Sequence, residues 1–231
     1  TATGNYAYHN TDLVLFGRGP AFQFSRTYNS QDKYRGPLGV GWTHSFNIFW
    51  MESGEDAVTI KWADGHTETY VEELDGSFTS PAGSFSKLVR EEDGTFTLTT
   101  PSKIRFHFTT AGRLNSITER NENSLVLSYD EKQRLTEVSG SGERKMMFAY
   151  ESEDLLKITS VHDSAGRQIL FSYDSDNLVT FTSPEGNRFE YHYDNLHQIT
   201  SIVDPRGNTL LENVYDDFSR VIEQTDARNQ T

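Results

Sequence analysis

The chain has 231 residues, 13% of them aromatic, with 17 glycines, no cysteine and a formal charge of −13. That length allows one large β domain or two small domains with a real core, and abundant Tyr, Phe, Thr and Ser beside scarce Ala is the composition of pleated, half-buried surfaces, so the expected fold is all-β. The charge disfavours a nucleic-acid partner, since phosphate binding runs on clustered Lys and Arg; the missing thiols exclude disulfides and thiolate metal sites; and no apolar run approaches the 18 residues of a membrane-spanning helix.

The first 55 residues read as a β-rich module of their own. Its strands are expected at Leu13 to Phe16, Phe22 to Tyr28 and Ser45 to Trp50, with Phe22, Phe24, Arg26 and Tyr28 sharing one face of the second. The Gly/Pro-rich stretch Gly36 to Gly41, "GPLGVG", is not followed by Lys-Ser/Thr and leads into the strand-like "SFNIFW". A turn that docks Trp42 fits it better than a phosphate-cradling loop. No basic-then-apolar leader stands at Thr1.

From residue 56 to 231 a repeating ribbon is expected, degenerate over 56–104 and clearer over 105–231. "VTIKWADGHTETYVEE" is hairpin-like, with Val58, Ile60 and Trp62 alternating before an Asp-Gly turn. The segment from Ser84 to Phe108 repeats the theme around "EEDG". Both read as divergent units of the same sheet.

Beyond Arg105 the pattern is a comb. "FHFT", "LSYD", "FAYE", "FSYD", "YHYD" and "NVYD" place the anchors Phe108, Tyr129, Tyr150, Tyr173, Tyr193 and Tyr215 at steps of 21, 21, 23, 20 and 22 residues. Six residues beyond each anchor stands an aliphatic side chain: Leu114, Leu135, Leu156, Val179, Ile199 and Val221. Two before it come Phe106, Leu127, Phe148, Phe171, Tyr191 and Asn213. Nine beyond come Ile117, Val138, Thr159, Thr182, Ile202 and Gln224, a position that drifts to polar. A fixed period of about twenty residues marks a repeat architecture.

Alternation makes each anchor segment a strand, and Asp130, Asp174, Asp194 and Asp216 begin turns in which the carboxylate accepts backbone N–H groups two residues on. The residues at +6 and +9 are an odd distance apart and would lie on opposite faces of an unbroken strand, so a bulge or an irregular strand end is implied. Gly186 and Gly207 mark the turns that close the units. Each repeat is then a β-hairpin, and successive hairpins form an antiparallel meander. Six hairpins give on the order of 12 strands and a ribbon roughly 55–60 Å wide. A sheet of that width twists and coils. Neighbours must stack to bury one another's faces.

The "YD...L..I.....GN" comb over Arg105 to Thr231, together with "TATGNY...TDL.....GRG..F.F.R.YNS......GPLG.GW.HSF" before it, resembles the Rhs/YD-repeat family of bacterial proteins. Phe108-Thr109 and Tyr150-Glu151 depart from the Tyr-Asp pair, and the family's C-terminal core motif is missing. The resemblance implies a β-ribbon that spirals into a hollow shell around a C-terminal toxin or effector, or a surface protein that engages partner cells. It implies export to the extracellular space or bacterial surface, with which the Cys-free composition agrees. The implied partner is the rest of the same polypeptide, and no cofactor is implied. The abrupt start and finish of the sequence are those expected of a segment of a longer chain.

Candidate chemistry is thin beside this. The seven histidines form no tight ligand spacing, and His192 and His197 are separated by a turn. Adjacent acids such as Glu72-Glu73, Glu91-Glu92-Asp93 and Asp216-Asp217 sit beside turns, whereas a glycosidase needs two carboxyls facing each other across a cleft. "DSDN", Asp174 to Asn177, begins like a calcium loop but lacks its sixth-position Gly. The aromatic column could stack on cell-surface glycans, the alternative function, but a ladder fixing strand register is the more economical reading. Neither reading requires catalysis. Bare sheet edges predict self-association, unless the N-terminal module covers them.

Overall fold

The computed structural model describes residues 4–152 and 156–227. The first three residues of the "TATGNY" stretch and the last four of the comb lie outside them. Every regular element among the described residues is a β-strand. Near the N-terminus, β1 (Ala7–Val14), β2 (Gln23–Asn29) and β5 (Trp42–His44) form a three-stranded sheet, while β3 (Arg35–Gly36) and β4 (Gly39–Val40) make a short ribbon. The segment Leu13 to Phe16 is only the end of a longer first strand. Ser45 to Trp50 is mostly irregular, and its last two residues open β6.

A four-stranded sheet follows, β6 (Phe49–Glu52), β7 (Ala57–Lys61), β8 (Thr67–Glu72) and β9 (Phe78–Thr79). The hairpin at Val58 to Glu73 therefore belongs to a separate sheet, contrary to expectation. Its last strand has only two residues, and the stretch after it carries Pro81, which cannot donate to a ladder. The segment at Ser84 to Phe108 does join the main sheet, through β10 (Lys87–Arg90), β11 (Phe96–Thr99) and β12 (Arg105–Phe108).

The main sheet continues in sequence order through β13 (Leu114–Thr118), β14 (Ser124–Tyr129), β15 (Leu135–Ser139), β16 (Lys145–Tyr150), β17 (Ile158–Asp163) and β18 (Gln168–Asp174). It ends with β19 (Asn177–Thr182), β20 (Arg188–Tyr193), β21 (Ile199–Val203), β22 (Thr209–Tyr215) and β23 (Val221–Asp226). All fourteen strands are neighbours in chain order, and every pair with a described register is antiparallel. This is the meander of hairpins that the comb predicted.

The bulge implied by the +6 and +9 positions is present, and it has one location. Ser128 faces Glu137 while Tyr129 faces Leu135, leaving Thr136 as the extra residue. Asn115, Thr200 and Ile222 are the extra residues of three further hairpins. One added residue turns a three-residue spacing into a shared face, so Leu135 and Val138 are both buried. The hairpin turns share a left-handed position. Gly112, Gly166, Gly186 and Gly207 occupy it with φ near +80°, and Gln133, His197 and Ser219 adopt it at about +61 to +65°. A three-residue loop closed by a left-handed residue matches the strands' right-handed twist.

Two compact units divide the chain. One comprises residues 1–12, 25–44 and 148–231, the other residues 13–24 and 45–147. The N-terminal 55 residues thus contribute to both, and the units do not follow the change of sequence pattern there.

Candidate functional site

The repeated Tyr-Asp pair is where the sequence concentrates its polar chemistry, and each half has a defined task. The tyrosine hydroxyl reaches back to the preceding hairpin: Tyr129 donates to the Leu114 carbonyl at 2.7 Å and Tyr173 to that of Ile158 at 2.6 Å. Tyr193 donates to Leu178 at 2.7 Å, and Tyr215 to Ile199 at 2.8 Å. Each acceptor stands at or one residue into the start of the second strand of the hairpin before, and for Leu114, Leu178 and Ile199 this is the point where the bulge disturbs the ladder. A carbonyl freed from regular pairing by a bulge needs another donor, and the phenol supplies it. Burial raises the pKa of all four hydroxyls, so they remain donors throughout the neutral range.

The aspartate closes its own turn. Asp130 Oδ1 accepts the backbone N–H groups of Lys132 and Arg134 at 3.0 and 2.9 Å, and Oδ2 accepts Arg134 Nε at 2.7 Å. Asp216 repeats this with Phe218 and Arg220, and Asp194 receives the N–H groups of Leu196 and Gln198. In the degenerate first repeat, Thr109 Oγ1 accepts the Arg113 N–H at 3.1 Å in the same manner.

Three sequence assignments require correction. Asp174 does not accept N–H groups two and four residues on: it pairs directly with Asn177 across a two-residue turn, too short to bring those groups to its carboxylate. That shorter turn also moves the register by one, so Leu178 faces Tyr173, and Val179 is the half-buried extra residue of the bulge. In the preceding repeat the connection is longer. Leu156 lies outside the strands with 59% of its surface exposed, and Ile158 takes the buried position. The drift to polar at Thr159 and Thr182 has the same origin, because Val161 and Phe181 are the buried residues there.

Of the remaining anchors, Phe108, Leu114, Leu135 and Ile199 are buried; Tyr150 and Val221 are half-buried. Gly186 and Gly207 stand in left-handed turns with open space around them. Two turn acids on the other side of the hairpins escaped the sequence reading. Asp163, buried, holds Ala165 and Arg167, and Asp204 holds Arg206 and Asn208. The recurring Asp-x-x-x-Arg spacing at 130–134, 163–167 and 216–220 is the signal that marks the first.

Residues of the N-terminal module lock onto the repeats within each unit. In the first unit Tyr28 bridges the backbone, donating to the His197 carbonyl at 2.9 Å and accepting the Ile199 N–H at 3.1 Å. Trp42 Nε1 donates to the Tyr193 hydroxyl at 3.0 Å, so the Gly/Pro-rich loop delivers Trp42 to a repeat tyrosine. At the centre lies Arg26, fully buried with Asp12. Its guanidinium contacts both carboxylate oxygens at 2.5 and 3.0 Å and the Tyr191 hydroxyl at 3.2 Å, and lies 4.0 Å from the Phe181 ring centroid. Burial works against its charge, yet Tyr191 and Asp12 hold its pKa above the ordinary value. Val40 N–H donates to the Asp176 carbonyl at 2.9 Å, and the Asp176 carboxylate meets Arg35 and Lys157.

In the second unit Trp50 binds the turn at Thr109 to Arg113. Its backbone N–H donates to the Gly112 carbonyl at 3.0 Å and its indole to Thr109 at 3.1 Å. Arg144 donates to the carbonyls of Leu15, Arg18 and Ser141.

Among the described residues no group of three or more His, Asp or Glu side chains could hold a metal ion, and there is no helix long and apolar enough to cross a membrane. The geometry is that of repeated interlocking. Residues 92–230, more than half the chain, match the family described as Teneurin YD-shell.

The chain belongs to the Rhs/YD-repeat family.

Residues 1–70 match a second family, described as a domain of unknown function (DUF6531). The chain is 31% identical over 136 residues to the tRNA nuclease WapA of Bacillus subtilis (strain 168) and, equally, to the tRNA(Glu)-specific nuclease WapA of Bacillus subtilis subsp. natto (strain BEST195). The match covers 58% of this chain and 6% of those proteins. Among solved structures, TcdB2-TccC3 aligns over 94% of this chain and 15% of its own, with 12% identity and a TM-score of 0.39. By its match to the YD-shell family model, this chain is a structural shell segment of an Rhs/YD-repeat protein.

Proposed function

We propose that this chain is a non-enzymatic part of an exported Rhs-type protein, building a curved β-shell that encloses or presents a toxin or effector carried elsewhere on the same polypeptide. The observation that carries the reading is the use of the motif's own polar groups. The four repeat tyrosines spend their hydroxyls on backbone carbonyls, and Asp130, Asp194 and Asp216 spend their carboxylates on turn amides. A catalytic pair would have to leave such groups facing a reacting atom. The relatives named as tRNA nucleases support a nuclease as the enclosed part, while the formal charge of −13 makes this segment itself a poor ligand for tRNA.

The adhesion alternative loses its aromatic column to the same hydrogen bonds. The exposed phenylalanines Phe16, Phe85 and Phe218 are its remaining candidates.

Two measurements test the proposal. The isolated chain should turn over neither tRNA nor polysaccharide. In the whole polypeptide, the toxin region should resist a protease that digests the same region expressed alone. Equal digestion of both would refute enclosure, and turnover by the chain would refute the non-enzymatic role.

A further inference from the structure

The second compact unit contains an apolar cleft of about 470 Å³ that the interlock does not use. It is lined by the directly opposed pair Phe106 and Ile117, with Ile104, Pro20, Ala21 and Ile48. The same register position is buried in other repeats, at Leu127 with Val138, Phe171 with Phe181 and Tyr191 with Ile202. At Phe106 and Ile117 both partners stay half-buried. The Phe106 ring meets Trp62 in a T-shaped contact, 5.1 Å between centroids, and Phe106 also lines the cleft.

The volume falls in the range of sites that bury a small molecule, and the lining has their character, mostly apolar with few polar groups. Those groups are Ser45, Ser102, Glu119, Arg120 and Asn121. Glu119 is turned to its own loop, accepting Asn123 Nδ2 at 2.8 Å. Arg120 is exposed and has no hydrogen-bond or ion-pair partner among the described residues. An unpaired guanidinium beside an apolar cleft complements an anion joined to a hydrocarbon tail.

We propose that this cleft binds a single-chain amphiphile with an anionic head, the tail lying on Phe106 and Ile117 and the head at Arg120. The proposal is independent of toxin enclosure.

The test is titration of the 231-residue chain with sodium decanoate, decanol and decyltrimethylammonium, each below its micelle threshold, followed by isoleucine methyl NMR. Decanoate should saturate at one molecule per chain and shift the methyls of Ile104, Ile117 and Ile48, leaving Ile199 and Ile202 unmoved. Arg120→Glu should weaken decanoate about threefold, the scale of an exposed ion pair, and leave decanol unchanged. Ile117→Trp should abolish binding; if that variant does not fold, Ala21→Trp, at an exposed lining residue, should do the same. Non-saturating shifts spread over all isoleucines, equal binding of the cationic amphiphile, or binding that survives both tryptophan variants would overturn the proposal. So would a response to an apolar peptide with none to decanoate.

Discussion

Removing the carboxylate from Asp12 should destabilise the unit it occupies more than any surface change could. In the wild type both Asp12 oxygens face Arg26, and neither side chain has solvent access. Asp12→Asn leaves a buried guanidinium with the Tyr191 hydroxyl at 3.2 Å and the Phe181 ring 4.0 Å away as its principal remaining partners. Breaking a buried pair from one side costs about 3–5 kcal/mol, and a desolvated cation over an aromatic face is worth about 2 kcal/mol or more. That ring contact already exists in the wild type, so the expected loss is about 3 kcal/mol or more. Replacing both partners, Asp12→Leu with Arg26→Met, should cost at least about 2 kcal/mol less than the single change, because no charge is then stranded. Urea denaturation of the three proteins, with hydrogen exchange read on β1 and β2, measures the difference. A single variant within about 0.5 kcal/mol of wild type, the range of an ordinary surface substitution, would refute the reasoning.

Other outcomes follow from the same coordinates. Burial lowers the His44 pKa to about 3; since the unfolded chain takes up the proton near 6.5, stability should fall on acidification below that value by about 1.4 kcal/mol per pH unit. A His44→Phe variant should lose this dependence in a pH series of urea melts. Hydrogen bonding from Asn208 and Arg220, through side chain and backbone, holds the Asp204 and Asp216 pKa values below the ordinary value. Their stabilisation is present at neutral pH and lost as pH falls below about 4, so Asp204→Asn with Asp216→Asn should flatten the acid limb of a circular-dichroism titration. A methyl at Gly112 would stand 2.5 Å from the Trp50 carbonyl oxygen, whereas Gly186 has the same left-handed φ with open space around it. Gly186→Ala should therefore cost about 1–2 kcal/mol from conformation alone, and Gly112→Ala clearly more, by thermal denaturation.

Much of the ribbon was legible because its periodicity comes from a physical constraint: two strands, two turns and one bulge per unit. The bulge could be inferred from Leu135 and Val138, three apart and both apolar. The offset of six was misleading where turn length changed, at Leu156 and Val179, since the face a residue occupies depends on hydrogen-bond register and a turn one residue shorter resets it. The tyrosine's role was only half visible. Alternation placed its ring on the packed face, but the target of its hydroxyl lies fifteen or sixteen residues back, across the ladder. Nor does local pattern give the partner of Arg26. An arginine in the apolar stripe Phe22, Phe24, Arg26, Tyr28 announces a buried charge, yet nothing nearby in sequence singles out Asp12.

The central claim is that the repeats anchored by Tyr129, Tyr173, Tyr193 and Tyr215 are each fastened to the one before by the tyrosine hydroxyl. Strand-resolved hydrogen exchange of wild type and Tyr173→Phe tests it most directly. The substitution keeps the ring and strands the Ile158 carbonyl, a loss of about 1–3 kcal/mol. The account predicts faster exchange concentrated in β17 to β19, with β13 to β15 unchanged. Unaltered protection in β17 to β19, or loss spread evenly over the whole sheet, would contradict it.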